Sequence, residues 1–223
     1  LASLFGAGES FGASYMELST GEFYATQIEG KDSWTKICAD IESFSPRELL
    51  FPKALETLVE NTFSNLTAEI EKVKSAENVY QFNQTRNISG FATVLTALDD
   101  WLFDAFDCEN LLKNQFGVRD LSGYGLDCKS EAVRAAGACL HYARETQKTA
   151  AEHISEINFI ETNDFLVLDA VTLKNLEIIE SRADDKRNKK TLFGIIDETV
   201  TGMGARLLRS WLLRPSIKRS EIN

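Results

Sequence analysis

The sequence predicts an α/β domain, a mixed sheet flanked by helices, followed by a mainly α segment that opens a second domain. Two observations carry this. Residues 11–59 alternate a β-rich pair of segments, a helix-spaced apolar face, a short apolar strand and a second helix-spaced face. Such alternation is how a sheet covered by helices reads in sequence. From residue 130 the texture changes, and small and apolar residues recur at the three- and four-residue spacing of helices.

Each element follows from its own residues. The apolar character of residues 1–12 reads as a strand. Residues 15–18 and 22–28 are aromatic and β-branched, and Ser19-Thr20-Gly21 between them supplies a turn with a glycine for positive φ, so a hairpin is expected over residues 11–28. Trp34, Ile37, Cys38 and Ile41 share a helical face that stops before Pro46. Arg47-Glu48-Leu49-Leu50-Phe51 is a short buried strand closed by Pro52, and Leu55, Leu58 and Val59 mark another short helix. Residues 61–77 are polar and read as helix or loop. Phe91, Val94, Leu95 and Leu98 fall on one helical face, and residues 101–107 with Leu111 and Leu112 continue as helix to Phe116-Gly117. The glycines in Leu121-Ser122-Gly123-Tyr124-Gly125-Leu126 mark a turn. Val133, Ala136, Gly137, Leu140 and Ala143 define a helix whose small residues admit a close neighbour, ending near Lys148. Residues 153–160 and 164–168 read as extended, and Asp169 suits the cap of a helix carrying Val171, Leu173, Leu176 and Ile179. Residues 184–190 are a charged surface loop, and Thr191 caps a short helix through Leu192, Ile195 and Ile196.

The last helix is the most explicit. Thr201 suits its N-cap, Met203, Leu207, Leu208, Trp211 and Leu212 form its apolar face, and Pro215 ends it. Arg206, Arg209 and Arg214 lie off that face, the later two suiting the negative end of the helix dipole. The chain is expected to continue past Asn223.

Hydrophobic residues at 43% and charged residues at 26% are those of a soluble globular protein. No apolar run approaches the roughly 20 residues of a membrane helix, and residues 1–12 lack a basic leader. Cys38, Cys108, Cys128 and Cys139 are widely spaced without a C-x-x-C pair, which predicts buried reduced thiols rather than a zinc site. Charge is uneven. Residues 1–128 carry 9 Lys and Arg against 20 Asp and Glu, a balance of -11, whereas residues 129–223 carry 15 against 14, a balance of +1. Phosphates repel so acidic a surface, so residues 1–128 are not expected to be a primary DNA-binding face.

Five blocks, in order, resemble the MutS family of mismatch-repair proteins. They are Glu17-Leu18-Ser19-Thr20-Gly21-Glu22-Phe23, Ser45-Pro46-Arg47-Glu48-Leu49-Leu50, residues 135–140 with Glu145-Thr146-Gln147-Lys148, residues 168–177, and residues 199–215. Glu17 stands where the family usually has aspartate. The resemblance implies a connector domain of ribonuclease-H-like topology over residues 1–153 and the start of the core, or lever, domain over residues 154–223. It fits the bacterial-type branch. It implies a non-catalytic, cytoplasmic fragment of a mismatch-repair ATPase, in which the connector couples mismatch recognition to ATP turnover and docks a MutL-type partner. No cofactor is expected within these residues. ATP and Mg, mismatched DNA and homodimer formation are expected of other parts of the full-length protein, with no membrane role.

ATP binding needs Gly-x-x-x-x-Gly-Lys-Ser/Thr, and Gly6, Gly8 and Gly12 lack the lysine, which leaves them as turn residues. Phe159-Ile160-Glu161 matches the family's base-stacking Phe-x-Glu string but follows the connector instead of preceding it. Glu17, Glu22, Asp99, Asp100 and Asp104 have the residue type of a two-metal nuclease, the alternative function, although a solvated acidic face accounts for them better. His141 and His153 have no nucleophile at recognisable spacing. The remaining candidate is a protein-binding surface on residues 109–115, with Asn110, Leu111, Lys113, Asn114 and Gln115 as contacts.

Overall fold

A computed structural model describes residues 1–64, 84–88, 91–147, 151, 153–161, 166, 168, 170–179, 191–213 and 215–217. Strands β1 (Ala2–Ala7), β2 (Ser10–Glu17) and β3 (Glu22–Glu29) form an antiparallel meander. The expected single strand at the start is thus a hairpin of its own. Gly8, at φ +64°, makes the tight turn that apolar character alone does not announce. Gly21, at φ +79°, serves the β2–β3 turn as expected.

Helix α1 (Ser33–Phe44) ends at Ser45, which takes a left-handed φ of 49° ahead of Pro46. Strand β4 (Glu48–Pro52) runs parallel to β1, and a 3-10 turn, Lys53–Leu55, leads into α2 (Glu56–Ser64). Of residues 61–77, those beyond Ser64 lie outside the described residues. Next come β5 (Gln84–Ile88) and β6 (Phe91–Leu98).

The helix expected at residues 91–98 is wrong. The segment pairs parallel with β4 and antiparallel with β5. Spacing 91, 94, 95, 98 fits a helix, but Thr93 and Leu95 are buried in alternation, and β-branched Thr93, Val94 and Thr96 favour the pleated surface. A run this short is ambiguous by periodicity alone.

The continuous helix expected from Trp101 to Phe116 is likewise divided. A 3-10 turn, Asp100–Phe103, stops at Asp104, whose carboxylate accepts from the backbone N–H groups of Phe106 (2.9 Å) and Asp107 (3.1 Å). It thereby N-caps α3 (Ala105–Phe116), which Gly117 closes at φ +66°. A 3-10 turn at Ser122–Tyr124 precedes α4 (Ser130–Gln147). The two-residue strand β7 (Asn158–Phe159) pairs parallel with β3. The sheet order is β5-β6-β4-β1-β2-β3-β7.

Alternation along the strands sorts side chains to the two faces. Phe11, Ala13, Tyr15 and Ile28 join Ile37, Ile41, Phe51, Val59 and Phe63 beneath α1 and α2. Met16, Phe23 and Ala25 join Cys108, Leu112, Ala136 and Leu140 beneath α3 and α4. Gln27 of β3 accepts from the N–H groups of Glu131 (3.1 Å) and Ala132 (3.2 Å), so a strand side chain caps α4. Gly12 makes this approach possible, because a Cβ there would lie 2.5 Å from the Glu131 carbonyl oxygen. Ile154 and Ile157 belong to the same core as Phe23. The extended stretch after residue 153 supplies the sheet's last strand.

The remaining described elements are α5 (Ala170–Asn175), α6 (Leu192–Ile196) and α7 (Gly202–Leu213). Thr191 caps α6 through the Gly194 N–H at 3.0 Å, and Thr201 caps α7 through the Gly204 N–H at 3.1 Å, both as expected. Leu173, Ile178, Ile179 and Leu213 form a small third core. The expected apolar face of α7 needs correction: Met203 and Trp211 are 49% and 63% exposed, while Leu213 is buried. Most of residues 164–168 and all of 184–190 lie outside the described residues, as do Asp169 and Arg214.

Cys38, Cys108 and Cys139 are buried free thiols, whereas Cys128 is exposed, contrary to the expectation that all four are covered. Burial pushes Cys38 and Cys108 up to about 12 and Cys139 up to about 11. A disulfide-exchange reagent at pH 8 is expected to modify Cys128 promptly. The other three should react at least about a hundredfold more slowly, because thiolate supply and access are both suppressed. Prompt modification of two or more thiols in the native chain would contradict this packing.

Candidate functional site

A concavity lies where α7 meets the end of the β2–β3 hairpin and the C-terminal end of α1. The cleft, about 220 Å³, has Tyr15, Tyr24, Phe44 and Leu213 among its walls and Glu17, Glu22, Arg47, Arg206 and Arg209 around it. Tyr15 stacks on Phe44 at 3.6 Å between ring centroids and donates its hydroxyl to buried Asp40 at 2.7 Å. That wall is fixed by the core of the first domain. Across it, Arg206 donates to the Ser19 hydroxyl at 2.8 Å and stands 3.8 Å from Glu17, and the Ser43 hydroxyl donates to the Leu213 carbonyl at 3.4 Å.

Burial pulls the Glu17 carboxyl upward. Hydrogen bonds from the Ser19 side chain and backbone, with the Arg206 charge, outweigh it and leave Glu17 below the usual carboxylate range. The carboxylate thus stays ionised opposite Arg206 at neutral pH. Half-exposed ion pairs contribute little stability, about 0–1 kcal/mol. The cleft volume is below the roughly 300 Å³ at which ligand pockets begin, and its polar contacts join α7 to the β2–β3 hairpin.

The other sequence candidates are dispersed. Asp99 is held by Lys53 at 2.6 Å, Asp100 accepts from the Ala54 N–H at 3.1 Å, and Asp104 caps α3. Glu17 and Glu22 face each other across the hairpin. Among the described residues, no group of three or more His, Cys, Asp or Glu is placed to hold a metal ion. Gly6 packs on the Phe11 ring, Gly8 turns the chain, and Gly12 lets α4 approach. Phe159 is packed partly buried against the first core, with Lys129 over its ring at 5.5 Å, so it is not a free base-stacking ring. His141 touches Trp101 edge-on and lies 3.9 Å from Glu145, while His153 Nε2 is 2.8 Å from the Leu18 carbonyl. Among the described residues no helix is long and apolar enough to cross a membrane.

On α3 the predicted contact residues separate. Leu111 packs against the core, and Gln115 donates to the carbonyls of Ala151 (2.9 Å) and Ile154 (2.8 Å) while accepting from Arg144. Both hold the chain's own interior. Asn114 is exposed, Asn110 is partly exposed, and Lys113 pairs with Glu109 at 2.6 Å. Sequence reasoning missed the clamp role of Gln115, because its partners lie 36 and 39 residues away. It also missed the joint at Arg206, for which the only signal was an arginine standing off the apolar face of its helix.

The family model for MutS domain II matches residues 1–155, and that for MutS domain III matches residues 171–223. The chain is 35% identical, over its whole length, to a DNA mismatch repair protein MutS of Solibacter usitatus, and 32% identical to that of Protochlamydia amoebophila. A Methanosarcina barkeri protein of the same description is 32% identical over 95% of the chain. The chain spans 23%, 23% and 21% of the length of these relatives. A MutS domain II match over most of the sheet domain, a MutS domain III match over the segment that carries α7, and relatives that align along the whole chain together place this chain in the MutS family.

Proposed function

We propose that this chain is the connector and the beginning of the core, or lever, domain of a DNA mismatch-repair protein, and that its work is mechanical. In this reading mismatch recognition and ATP hydrolysis with Mg are done by other parts of a cytoplasmic, homodimeric whole protein. The segment described here relays rearrangement between them. The observation that carries the reading is the joint at the cleft, where exposed polar contacts from Arg206 to Ser19 and Glu17 tie the domain III helix to the domain II hairpin. Contacts of this strength can be made and broken, and coupling requires an element with two arrangements. The order β3-β2-β1-β4-β6, with the last two parallel to β1, supports a ribonuclease-H-like topology. The dispersed carboxylates favour a scaffold over a nuclease.

The same domain offers a docking surface for a MutL-type partner, for which Asn110, Lys113 and Asn114 of α3 are available, while Leu111 and Gln115 hold the helix in place. In the full-length protein, Lys113→Glu is expected to weaken capture of the MutL-type partner by about tenfold, with mismatch binding and ATP turnover unchanged. Unaltered capture would remove this helix from the docking surface.

A further inference from the structure

Trp101, in the 3-10 turn Asp100–Phe103, and Phe106, in the first turn of α3, are 65% and 73% exposed. Asp104 joins them: its N–H donates to the Trp101 carbonyl at 3.1 Å, and its carboxylate caps the Phe106 N–H at 2.9 Å. The Trp101 ring is held edge-on against His141, with centroids 6.3 Å apart and planes at 83°. Among the described residues neither ring belongs to a core cluster. Large aromatics kept in water on a rigid frame are the residues that dominate protein interfaces.

Within their own segment the charge has one sign. Residues 99–112 contain Asp99, Asp100, Asp104, Asp107 and Glu109 and no lysine or arginine. Lys53 neutralises Asp99, and Glu145 on α4 adds another carboxylate beside His141. Arg134 is turned inward, donating to the Phe103 carbonyl and lying over the Phe5 ring. An aromatic face and a carboxylate both attract a cation, and a guanidinium can use the two together.

We propose that Trp101 and Phe106, framed by Asp100 and Asp107, dock a basic peptide segment in which arginine alternates with an apolar side chain. The arginine lies over Trp101 and meets the carboxylates, and the apolar side chain covers Phe106. Phe106 and Asp107 adjoin Asn110, which lies on the same face of α3 one helical turn before Lys113 and Asn114, but binding of a basic peptide here does not depend on the MutL-type assignment.

The test uses the 223-residue chain and a short fluorescein-labelled peptide alternating arginine with leucine, read by anisotropy at fixed salt. Control peptides replace arginine with glutamate, or leucine with serine. Trp101→Ser/Phe106→Ser should weaken binding of the arginine–leucine peptide by about tenfold. Asp100→Lys/Asp107→Lys should reverse the preference toward the glutamate–leucine peptide. Glu29→Lys, a single charge change at an exposed position away from this turn, should alter affinity by less than about twofold. Equal binding by the wild type and Trp101→Ser/Phe106→Ser would overturn the proposal. So would a loss with Glu29→Lys as large as that with Asp107→Lys alone, which would mean attraction by net charge only. Preference of the wild type for the glutamate–leucine peptide would overturn it too. All the altered side chains are exposed, and thermal unfolding of each variant establishes that the fold is intact.

Discussion

Phe23→Ala is expected to lower the unfolding free energy by about 3–5 kcal/mol. The ring is 1% exposed and sits on β3 opposite Met16, facing the underside of α4. Its removal costs the transfer of an aromatic side chain and leaves a hole walled by elements that cannot close it. The sheet is pinned by its register, and α4 is pinned by Gln27 and by the Ser14 hydroxyl, which donates to the Ala135 carbonyl at 3.1 Å. Urea unfolding followed by circular dichroism should show a lower midpoint at nearly constant slope. A loss below about 1 kcal/mol would mean that α4 can collapse onto the sheet, contrary to these tethers.

Gly137→Val is expected to have the second largest effect, because it acts on backbone. A Cβ at Gly137 would lie 2.6 Å from both Cα and Sγ of Cys108, so no side-chain rotation relieves the overlap and α3 must shift away from α4. Overpacking of this kind costs about 1–3 kcal/mol. The consequence reaches function, since α3 carries Asn110, Lys113 and Asn114. Capture of the MutL-type partner by the full-length protein should fall along with stability, whereas Cys108→Ala, which trims Sγ, should leave capture unchanged. Cys108→Ala/Gly137→Val should not recover the wild-type midpoint, because the clash with the Cys108 Cα remains. Full recovery would show that the sulfur alone sets the helix spacing.

The legible parts of this chain share one property: their information is local. The Ser19-Thr20-Gly21 turn, the apolar stripe of α1, the glycine after α3 and the threonine caps of α6 and α7 are each decided by residues within a few positions. The errors at residues 91–98 and 104 have different causes. Spacing that fits a helix over two turns also fits a strand when both neighbours offer open edges, and β4 and β5 offer them. An aspartate in a helical pattern reads as a surface residue until its carboxylate is found on the next two N–H groups. The expected face of α7 failed for another reason. Periodicity tells which residues could be buried together, and the helix's neighbours tell which of them are.

The sequence alone determined the α/β class, most of the elements and, through five ordered blocks, the resemblance to MutS, because propensity, caps and motif order are properties of neighbouring residues. Tertiary structure decided which polar side chains serve the fold and which are left to solvent. Gln115 is consumed in holding residues 151–154, Arg206 in joining α7 to the β2–β3 hairpin, and Trp101 is left exposed. A hydrogen bond or a bare ring surface depends on what lies within a few ångströms in space, and separations of 36 to 187 residues along the chain carry no trace of that proximity.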